Sequence, residues 1–411
     1  MSIYKLYIEE RAAHAAKEWK TPMNFDEIIN RQGTHSMKWD MMSSIYGIGP
    51  EDGLSMWVAD MDFRPPQSVQ TALQNMLDHG IYGYYGDERA YRAAIGWWMA
   101  NRHGWEIEPD WIFTTHGLVN GTALCVDTYT QEGDGVVLMT PVYHAFARVI
   151  RAANRQVVEC PLALIEGKYH LDIPAWDAAM TGREKMLILC SPHNPGGRVW
   201  TVEELQAIAD FARRHDLILV SDEIHHDLIM PGHTHTPMAK IDGIMDRLVM
   251  MTATTKTFNI AGGHSGNVII PDAELRKRFA ARMGALGISA NSFGLAMAEA
   301  AYSPEGAEWV DALCAYLAKN AETFDAGITK IPGLKPMKLE ATYLSWVDFS
   351  GTGMSHEESI ARVEGDARIA TNYGSSFGLG GAPFLRFNLG MPHAQIEEAV
   401  ARMQKAFADL Q

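Results

Sequence analysis

The sequence has few cysteines and no long apolar run, and both shortages limit what the protein can be. Its four cysteines lie far apart and form no CxxC pair, so neither a disulfide framework nor a zinc site is indicated. No run approaches the roughly 18 apolar residues of a membrane-spanning helix. The N-terminus, MSIYKLYIEERAAHAAKEWK, carries charge throughout and lacks the apolar core of a signal peptide. We therefore expect a cytoplasmic protein with buried free thiols and no membrane partner.

Positive charge is also scarce. The formal net charge is -15 at pH 7, and no basic stripe interrupts it, which argues against a nucleic-acid partner. The composition, 47% hydrophobic and 21% charged, is that of a globular protein. A chain of 411 residues exceeds one ordinary hydrophobic core, so we expect two domains.

Short apolar runs alternate with longer amphipathic segments between about residues 110 and 270. The runs are GVVLMTP (135–141), QVVECP (156–161), MLILCS (186–191), LILVSDE (217–223), LVMMTAT (248–254) and GNVIIP (266–271). Continuous apolar runs predict strands that are covered on both faces. The spacer VEELQAIADFARRHD predicts a helix with Thr201 as its N-cap. This alternation predicts an α/β fold, with a largely parallel sheet inside a helical coat.

The pattern changes after about residue 290. A long helical stretch, 296–328, precedes the short predicted strands TYLSWVDF and PFLRFNL. We interpret this part as a smaller α+β domain. The predicted division is an N-terminal segment, 1–50, that packs with the small domain, a large domain, 51–290, and a small C-terminal domain, 291–411.

Three polar residues follow consecutive predicted strands. Asn194 lies in SPHNPGG, Asp222 ends a strand in SDEIHH, and Lys256 lies in TATTKTFNIAGG, with spacings of 28 and 34 residues. In doubly wound sheets, ligands bind at the carboxyl ends of the strands, so we expect the three side chains to meet there. Taken singly, they could equally be a turn asparagine, a helix-capping aspartate and a solvated lysine.

An amine, a carboxylate and an amide together suit a pyridoxal 5′-phosphate site. A lysine whose pKa is lowered by burial or by neighbouring cations can hold an aldehyde as a Schiff base. A carboxylate beside the ring nitrogen keeps that nitrogen protonated, so that the ring accepts electrons. Lys256 and Asp222 fit these two roles, and Asn194 could donate to the phenolate oxygen of the ring.

Other residues could hold the phosphate and the ring. THGLVNG (115–121) predicts a helix that starts after a glycine, where the backbone N–H groups of Gly117, Leu118 and Val119 could bind a phosphate. Thr255 offers a hydroxyl to the same group, and Tyr143, beyond another strand, could stack on the ring. Each signal is weak alone, because many helices begin after glycine and loop tyrosines often only pack.

These motifs resemble fold-type I pyridoxal-phosphate enzymes of the aminotransferase class I/II group. SPHNPGGRVW, SDEIHHDL and TATTKTFNIAG carry the resemblance. Four further stretches are similar to the MalY/PatB branch, the carbon–sulfur β-lyases often called cystathionine β-lyases: NRQGTHSMKWD (30–40), LSMWVADMDF (54–63), YGYYGDERAY (82–91) and FGLGGAPFLRFNLGMP (377–392). The resemblance covers nearly the whole chain from about residue 24. It implies an aminotransferase-like fold whose large domain has a mostly parallel seven-stranded sheet.

The resemblance also implies roles for the matching residues. Lys256 would be the Schiff-base lysine and general base, Asp222 the partner of the ring nitrogen, and Tyr143 the stacking residue in the catalytic set. His225 would be a further neighbour of the cofactor, and Asn194 would contact its phenolate oxygen.

The substrate and the dimer complete these expectations. Arg386, in FLRFNLG, would bind the substrate α-carboxylate, beside Asn194 and Tyr84; without the resemblance it would be interpreted as a solvated surface arginine. Tyr84, in YGY, would reach the cofactor phosphate of the neighbouring subunit. The resemblance therefore implies a homodimer with shared active sites.

The chain departs from the family pattern near the lysine. Gly262, Gly263 and His264 follow where Gly-Leu is usual, and Thr254 and Thr255 stand where serine is common. HGLVNG also lacks the usual proline of the phosphate turn. These departures bear on the substrate side-chain pocket rather than on the cofactor.

The predicted function is a pyridoxal-phosphate-dependent β-lyase. It would cleave L-cystathionine or related cysteine S-conjugates to a thiol, pyruvate and ammonia, with no metal. An aminotransferase shares every residue named and is the alternative enzyme. A ligand-sensing regulator is a third hypothesis, although the 23 residues before the resemblance begins are too few for a DNA-binding module.

Overall fold

The computed structural model describes residues 23–410, so the first 22 residues of the predicted N-terminal segment lie outside the described residues. Within that range the strands are β1 Leu54–Ser55, β2 Ile112–Thr115, β3 Gly135–Leu138, β4 Gln156–Glu159, β5 Ala163–Ile165, β6 Lys168–His170, β7 Glu184–Cys190, β8 Ile218–Asp222, β9 Leu248–Thr252, β10 Gly266–Ile269, β11 Lys335–Pro336, β12 Leu344–Asp348, β13 Ile369–Ala370, β14 Asn372–Tyr373 and β15 Phe384–Asn388.

The α-helices of the same range lie between and around these strands. They are α1 Met37–Asp40, α2 Met42–Tyr46, α3 Gln67–His79, α4 Arg89–His103, α5 Leu118–Tyr129, α6 Ala145–Ala152, α7 Ile173–Ala179, α8 Val202–Arg214, α9 Thr254–Thr257, α10 Ala273–Ala285, α11 Ser292–Ala301, α12 Pro304–Ile328, α13 His356–Ala361 and α14 His393–Ala406.

A seven-stranded sheet forms the centre of the molecule. Its strand order is β2-β10-β9-β8-β7-β3-β4, and the pairs from β9 to β4 are all parallel. The predicted mostly parallel sheet of an α/β fold is therefore confirmed. Strand β10 instead runs antiparallel to both β9 and β2, because the chain between β9 and β10 makes only short turns and does not cross the sheet on a long helix. Strand β2 is not among the strands that the apolar runs predict.

Local chemistry explains two helix boundaries. Thr201 caps α8 in a capping box with Glu204, as the sequence predicts for the cap residue. The long helix predicted over 296–328 is wrong as a single element, because the chain forms α11 and α12 with a break at Tyr302 and Ser303. Ser303 caps α12 and Pro304 opens it, and proline suits a first helical turn but not a helix interior.

A second, four-stranded sheet lies in the C-terminal part, with strand order β11-β12-β15-β14. The early strand β1 pairs in parallel with β13, and the hydroxyl of Tyr46 donates to the carbonyl of Thr371 at 2.9 Å. These contacts attach residues 23–55 to the C-terminal part of the chain. The domain limits given above stay predictions.

The four cysteines, Cys125, Cys160, Cys190 and Cys314, are free and buried. Burial is the largest cause that raises the pKa of each thiol. Among the helices of residues 23–410, none is both long and apolar enough to cross a membrane.

Candidate active site

Three neighbouring strand ends bring the predicted polar residues to one edge of the large sheet. Strands β7, β8 and β9 are adjacent, and Asp222 pairs with Cys190 on one side and Met251 on the other. Asn194 follows β7, Asp222 ends β8 and Lys256 follows β9. Parallel pairing places these three chain positions at the same carboxyl edge, as the sequence predicts.

Lys256 lies on the short helix α9 and is partly buried. Its ammonium donates to the carbonyl of Ala59 at 2.6 Å. Burial is the largest cause that lowers the pKa of Lys256 from 10.5 to about 8; Arg386 lowers it further, and Asp60 and Asp222 raise it. A sizeable fraction of this amine is therefore neutral near pH 8, which an ordinary solvated lysine does not achieve.

Side-chain hydrogen bonds fix the turn that carries the lysine. Thr257 donates to the buried carboxylate of Asp227 at 2.9 Å. Asn259 stands at a positive φ of 56°, donates to the carbonyls of Met61 and Phe63 at 2.7 and 2.8 Å, and accepts from the N–H of Met61. The turn of Lys256 is thus tied both to the core and to the segment around Met61.

The nitrogen and oxygen atoms of His103, His226 and Asp227 lie within 4.8 Å of one another, close enough to share a metal ion. The indole N–H of Trp98 donates to Asp227 at 2.9 Å, and His103 hydrogen-bonds to the same oxygen at 2.8 Å. Because Thr257 donates to the other oxygen, both oxygens of this carboxylate already have protein partners. Through Thr257, this carboxylate is hydrogen-bonded to α9.

Asp222 is 5% exposed, and one of its oxygens accepts from the N–H of Ile224 at 3.1 Å. The residue forms a local turn and does not cap a regular helix. Burial is the largest cause that raises the pKa of Asp222 to about 7, and the nearby amine of Lys256 lowers it. A cation placed against this carboxylate would hold it ionised.

Arg386 lies on β15 and is 3% exposed, so it is not the solvated arginine that its sequence alone suggests. Its guanidinium donates to Asn194 at 3.1 Å, to the carbonyl of Trp57 at 3.0 Å and to the side-chain oxygen of Asn372. All three acceptors are uncharged, and among residues 23–410 the Nε atom of Arg386 has no hydrogen-bond partner. Burial lowers the pKa of Arg386 to about 10. Such a buried cation suits a carboxylate ligand.

The SPHNPGG turn displays Asn194 towards Arg386. The N–H of Gly197 donates to the carbonyl of His193 at 2.7 Å, which closes the turn. Gly197 has a φ of +62°, and a Cβ atom there would lie 2.4 Å from Leu339, so only glycine fits. Since its oxygen accepts from Arg386, Asn194 does more than stabilise its own turn.

The predicted phosphate cradle is a helix N-terminus. Gly117 precedes α5 with a φ of 82° and no side-chain cap. The N–H groups of Leu118 and Val119, in the first turn, have no acceptor within the helix, and the helix dipole favours an anion there. Thr255 is buried beside Lys256.

Tyr143 and His225 complete the set at the edge of the sheet. Burial raises the pKa of Tyr143, and both Arg386 and Asp222 are close enough to influence it. Burial, then Lys256 and Arg386, lower the pKa of His225 well below its usual value. The lowered pKa keeps this imidazole neutral, and its buried Nδ1 atom has no hydrogen-bond partner in the part of the chain that the structure describes.

Tyr84 lies apart from these residues. It is fully exposed, as are large parts of Ile81 and Tyr82. It lines a cavity of about 340 Å³ together with residues such as Arg92 and Ser289, and that lining includes none of the residues at the strand ends. A single chain therefore does not bring Tyr84 to the site.

Sequence reasoning missed the role of residues 57–62, although it quoted their motif. Consecutive backbone carbonyls of this segment accept hydrogen bonds from the side chains of the site. Trp57 accepts from Arg386, Val58 from Asn388, Ala59 from Lys256 and Tyr343, and Asp60 from Asn388 and Lys38. Carbonyls leave no signature in a side-chain pattern, and the donors are distant in sequence.

Comparison with known proteins agrees with this geometry. A family model described as aminotransferase class I and II matches residues 52–403. The chain belongs to the aminotransferase class I and II family. The sequence-based assignment to that family and to its fold is confirmed.

Members of the family with similar sequences and structures include carbon–sulfur lyases. Cystathionine beta-lyase PatB of Bacillus subtilis is 38% identical, over 94% of this chain and 100% of PatB. The structure of cystalysin from Treponema denticola, which contains a pyridoxal 5′-phosphate cofactor, has a TM-score of 0.90 and 37% identity, covering 95% of this chain and 100% of cystalysin. A pyridoxal-phosphate-bound putative aminotransferase from Clostridium difficile 630 also has a TM-score of 0.90 with 37% identity, covering 94% and 100% of the two chains.

Proposed function

We propose that this protein is a pyridoxal 5′-phosphate-dependent carbon–sulfur β-lyase, which cleaves L-cystathionine or a related cysteine S-conjugate to a thiol, pyruvate and ammonia. The observation that carries this proposal is the buried Arg386. In the part of the chain that the structure describes, its guanidinium donates only to uncharged acceptors, and it lies close enough to Lys256 to lower the pKa of that amine. An α-amino acid has the carboxylate and the adjacent Cα–H that this pairing requires. The likeness to PatB, a cystathionine beta-lyase by name, supports cleavage of a carbon–sulfur bond, and the likeness to cystalysin supports the cofactor.

The residues present fit the cofactor. Asp222 is a buried carboxylate, and none of the described residues forms an ion pair with it. The Nδ1 atom of His225 has no hydrogen-bond partner among the same residues, and the N–H groups of Leu118 and Val119 have no acceptor within α5. Lys256 would anchor the cofactor, Asn194, Tyr143 and Thr255 would contact it, and Asp222 would face its ring nitrogen. When bound, the cofactor supplies an electron sink for the charge left by removal of the α-proton.

The side chains then divide the remaining work. Arg386 holds the substrate carboxylate and so orients the Cα–H bond. The amine of Lys256, which has a depressed pKa, accepts the α-proton. The sulfur on the β-carbon leaves as a thiolate, and the Ala59 carbonyl holds the protonated amine of Lys256.

A homodimer with shared active sites is part of the proposal. The exposed Ile81, Tyr82 and Tyr84 form an apolar projection, which suits burial against a second copy. In this arrangement Tyr84 reaches the phosphate and substrate in the partner's site. Light scattering should give a dimer, and Tyr84→Ala should weaken cofactor affinity. A cytoplasmic location stays a prediction.

The deciding experiment offers cystathionine to the purified, cofactor-loaded protein without any keto-acid. We expect pyruvate, ammonia and homocysteine in equal amounts, and Lys256→Ala is the inactive control. An aminotransferase would use all the residues named, and one of the similar structures is described as a putative aminotransferase. Turnover only after a keto-acid is added would establish that alternative instead.

A further inference from the structure

Residues 57–62 cover the amine of Lys256, and we name them the covering loop. The carbonyl of Ala59 accepts from the Lys256 ammonium at 2.6 Å and from the hydroxyl of Tyr343 at 2.9 Å. Asn388 donates to the carbonyls of Val58 and Asp60, both at 2.6 Å. The backbone of the loop, rather than its side chains, therefore contacts the reactive residue.

A network of charged side chains lies on the other side of the covering loop. The ammonium of Lys38 contacts the carboxylate of Asp62 at 2.7 Å, and Lys38 is 0% exposed. It also donates to the carbonyl of Asp60 at 3.2 Å. Arg31 binds the carboxylate of Asp60 through two nitrogens at 2.9 and 3.0 Å and reaches Asp62 at 2.8 Å. The indole N–H of Trp39 adds a bond to Asp62 at 3.0 Å.

Stability alone does not account for this network. A buried ion pair gains little or nothing over a well-packed apolar pair, because both charges lose their hydration. Its hydrogen bonds do fix the relative positions of the charged groups, because a buried charge without a hydrogen-bond partner is costly. Here that geometry includes the carbonyls and carboxylates of the loop itself, so the network specifies where the loop lies.

We propose that Arg31, Lys38 and Asp62 are positioning residues for Lys256: they hold the covering loop closed over its amine, with the carbonyl of Ala59 as the acceptor. Within residues 23–410, no hydrogen bond or ion pair joins Arg31, Lys38 or Asp62 to the amine of Lys256, and Arg31 and Lys38 contact the covering loop instead. The effect of these residues on catalysis rests on the proposed function. The position of the covering loop over Lys256, in contrast, can be measured in the cofactor-free protein.

The proposal sets the direction of a measurable change. The charged and titratable groups that influence the amine are Asp60, Asp222 and Arg386, with His225 beside them. Burial is the largest cause of the lowered pKa, and the carbonyl of Ala59 in the covering loop contacts the amine. A loosened loop admits water, which favours the charged amine, so the pKa of Lys256 should rise from about 8 towards 10.5.

The test measures the pH dependence of Lys256 acetylation in cofactor-free protein, by mass spectrometry of the peptide that contains it. Lys38→Met and Arg31→Met remove separate members of the network. The matched control is Arg64→Met, because Arg64 forms an exposed ion pair with Glu27 at 2.8 Å in the same part of the chain. We expect the midpoint to rise by about one unit, a tenfold loss of neutral amine near pH 7, in both network variants and to stay unchanged in the control.

An unchanged or lowered midpoint in the folded network variants overturns the proposal. If Lys38→Met does not fold, Arg31→Met decides alone, because Arg31 is partly exposed and Asp62 keeps its contact with Lys38. Losing a cation beside Asp60 would by itself raise the pKa of Lys256, because Asp60 acts on that amine through its charge. Hydrogen exchange of the covering loop separates the two causes: we expect faster exchange in both network variants and not in the control, and a raised midpoint with unchanged exchange also overturns the proposal. If the wild-type protein does not cleave cystathionine, the proposed function is wrong. The acetylation midpoint and the hydrogen exchange of the covering loop still test the positioning role.

Discussion

Lys38 and Lys256 are both largely withdrawn from water, yet their amines end in different surroundings. The amine of Lys38 contacts a carboxylate, that of Asp62, at 2.7 Å. Within residues 23–410, the amine of Lys256 donates to the carbonyl of Ala59 and forms no ion pair, and the carboxylates of Asp60 and Asp222 act on it from farther away. The carboxylate holds the first amine in an ion pair, whereas burial beside a carbonyl lowers the pKa of Lys256 to about 8. The fold thus makes one lysine structural and the other reactive.

Replacing the reactive lysine should have the largest effect. Lys256→Ala removes both the anchor for the cofactor and the base, so we expect turnover of cystathionine to fall by more than about a thousandfold and the yellow absorbance to disappear. Lys405→Ala, at an exposed position on α14, is the matched control and should behave like the wild type. Measurable pyruvate release by Lys256→Ala would contradict the assignment.

Asp222→Asn should come next. The variant keeps the size of the side chain but loses the charge that would face the cofactor ring nitrogen. Such an ion pair is worth about 4 kcal/mol at an effective dielectric near 20, so turnover should fall roughly a thousandfold. Steady-state kinetics with cystathionine measure this loss. A variant with near-normal turnover would place the ring nitrogen elsewhere.

Lys38→Met should act on stability, in contrast to Lys256→Ala. The change leaves the buried carboxylate of Asp62 with Arg31 and Trp39 only, and removing one partner of a buried pair costs about 3 kcal/mol. Urea denaturation followed by circular dichroism measures the loss. Arg64→Met breaks an exposed ion pair and should cost less than about 1 kcal/mol. Equal losses in the free energy of unfolding in Lys38→Met and Arg64→Met would show that the buried ion pair is no more important for stability than the exposed one.

Arg386→Lys should give a smaller and more selective defect. Lysine keeps the positive charge but not the planar fork that binds a carboxylate. The lost hydrogen bond to a charged group is worth about 1.5 to 3 kcal/mol, so kcat/KM should fall roughly 10- to 100-fold. The absorbance of bound cofactor should stay normal, which separates this variant from Lys256→Ala. Loss of cofactor would show that Arg386 does not act mainly on the substrate.

The pH dependence of stability offers the smallest signal. In cofactor-free protein the folded pKa of Lys256, about 8, lies below its usual 10.5. Between these values the unfolded chain binds more protons, so the contribution of this residue to stability rises with pH. Relative to Lys256→Met, the wild type should gain stability between pH 8 and 10, as urea denaturation measures. An opposite slope would mean that the folded protein holds the amine charged.

Much of the fold could be predicted because its signals are local. Six apolar runs gave strands of the large sheet, and Thr201 caps α8 as expected. The direction of β10 could not be predicted, since periodicity carries no information on orientation. The single helix predicted over 296–328 failed at Pro304, where the proline opens a second helix.

The site divides in the same way. Asn194, Asp222 and Lys256 follow adjacent parallel strands, and topology alone brings such positions together. Arg386 needed the family resemblance, because nothing in FLRFNLG reveals that the arginine is buried. The roles of the matching residues stay predictions until variants are measured.

The buried cysteines have a consequence for an enzyme that releases thiols. Once a thiol product has been oxidised by air to its disulfide, an accessible, ionised cysteine can attack one of its sulfurs, form a mixed disulfide and release the other half as a thiolate. All four cysteines here are buried, and the pKa of each thiol is raised. The protein therefore presents its own product with no reactive sulfur, and it should keep full activity while homocysteine accumulates and oxidises around it.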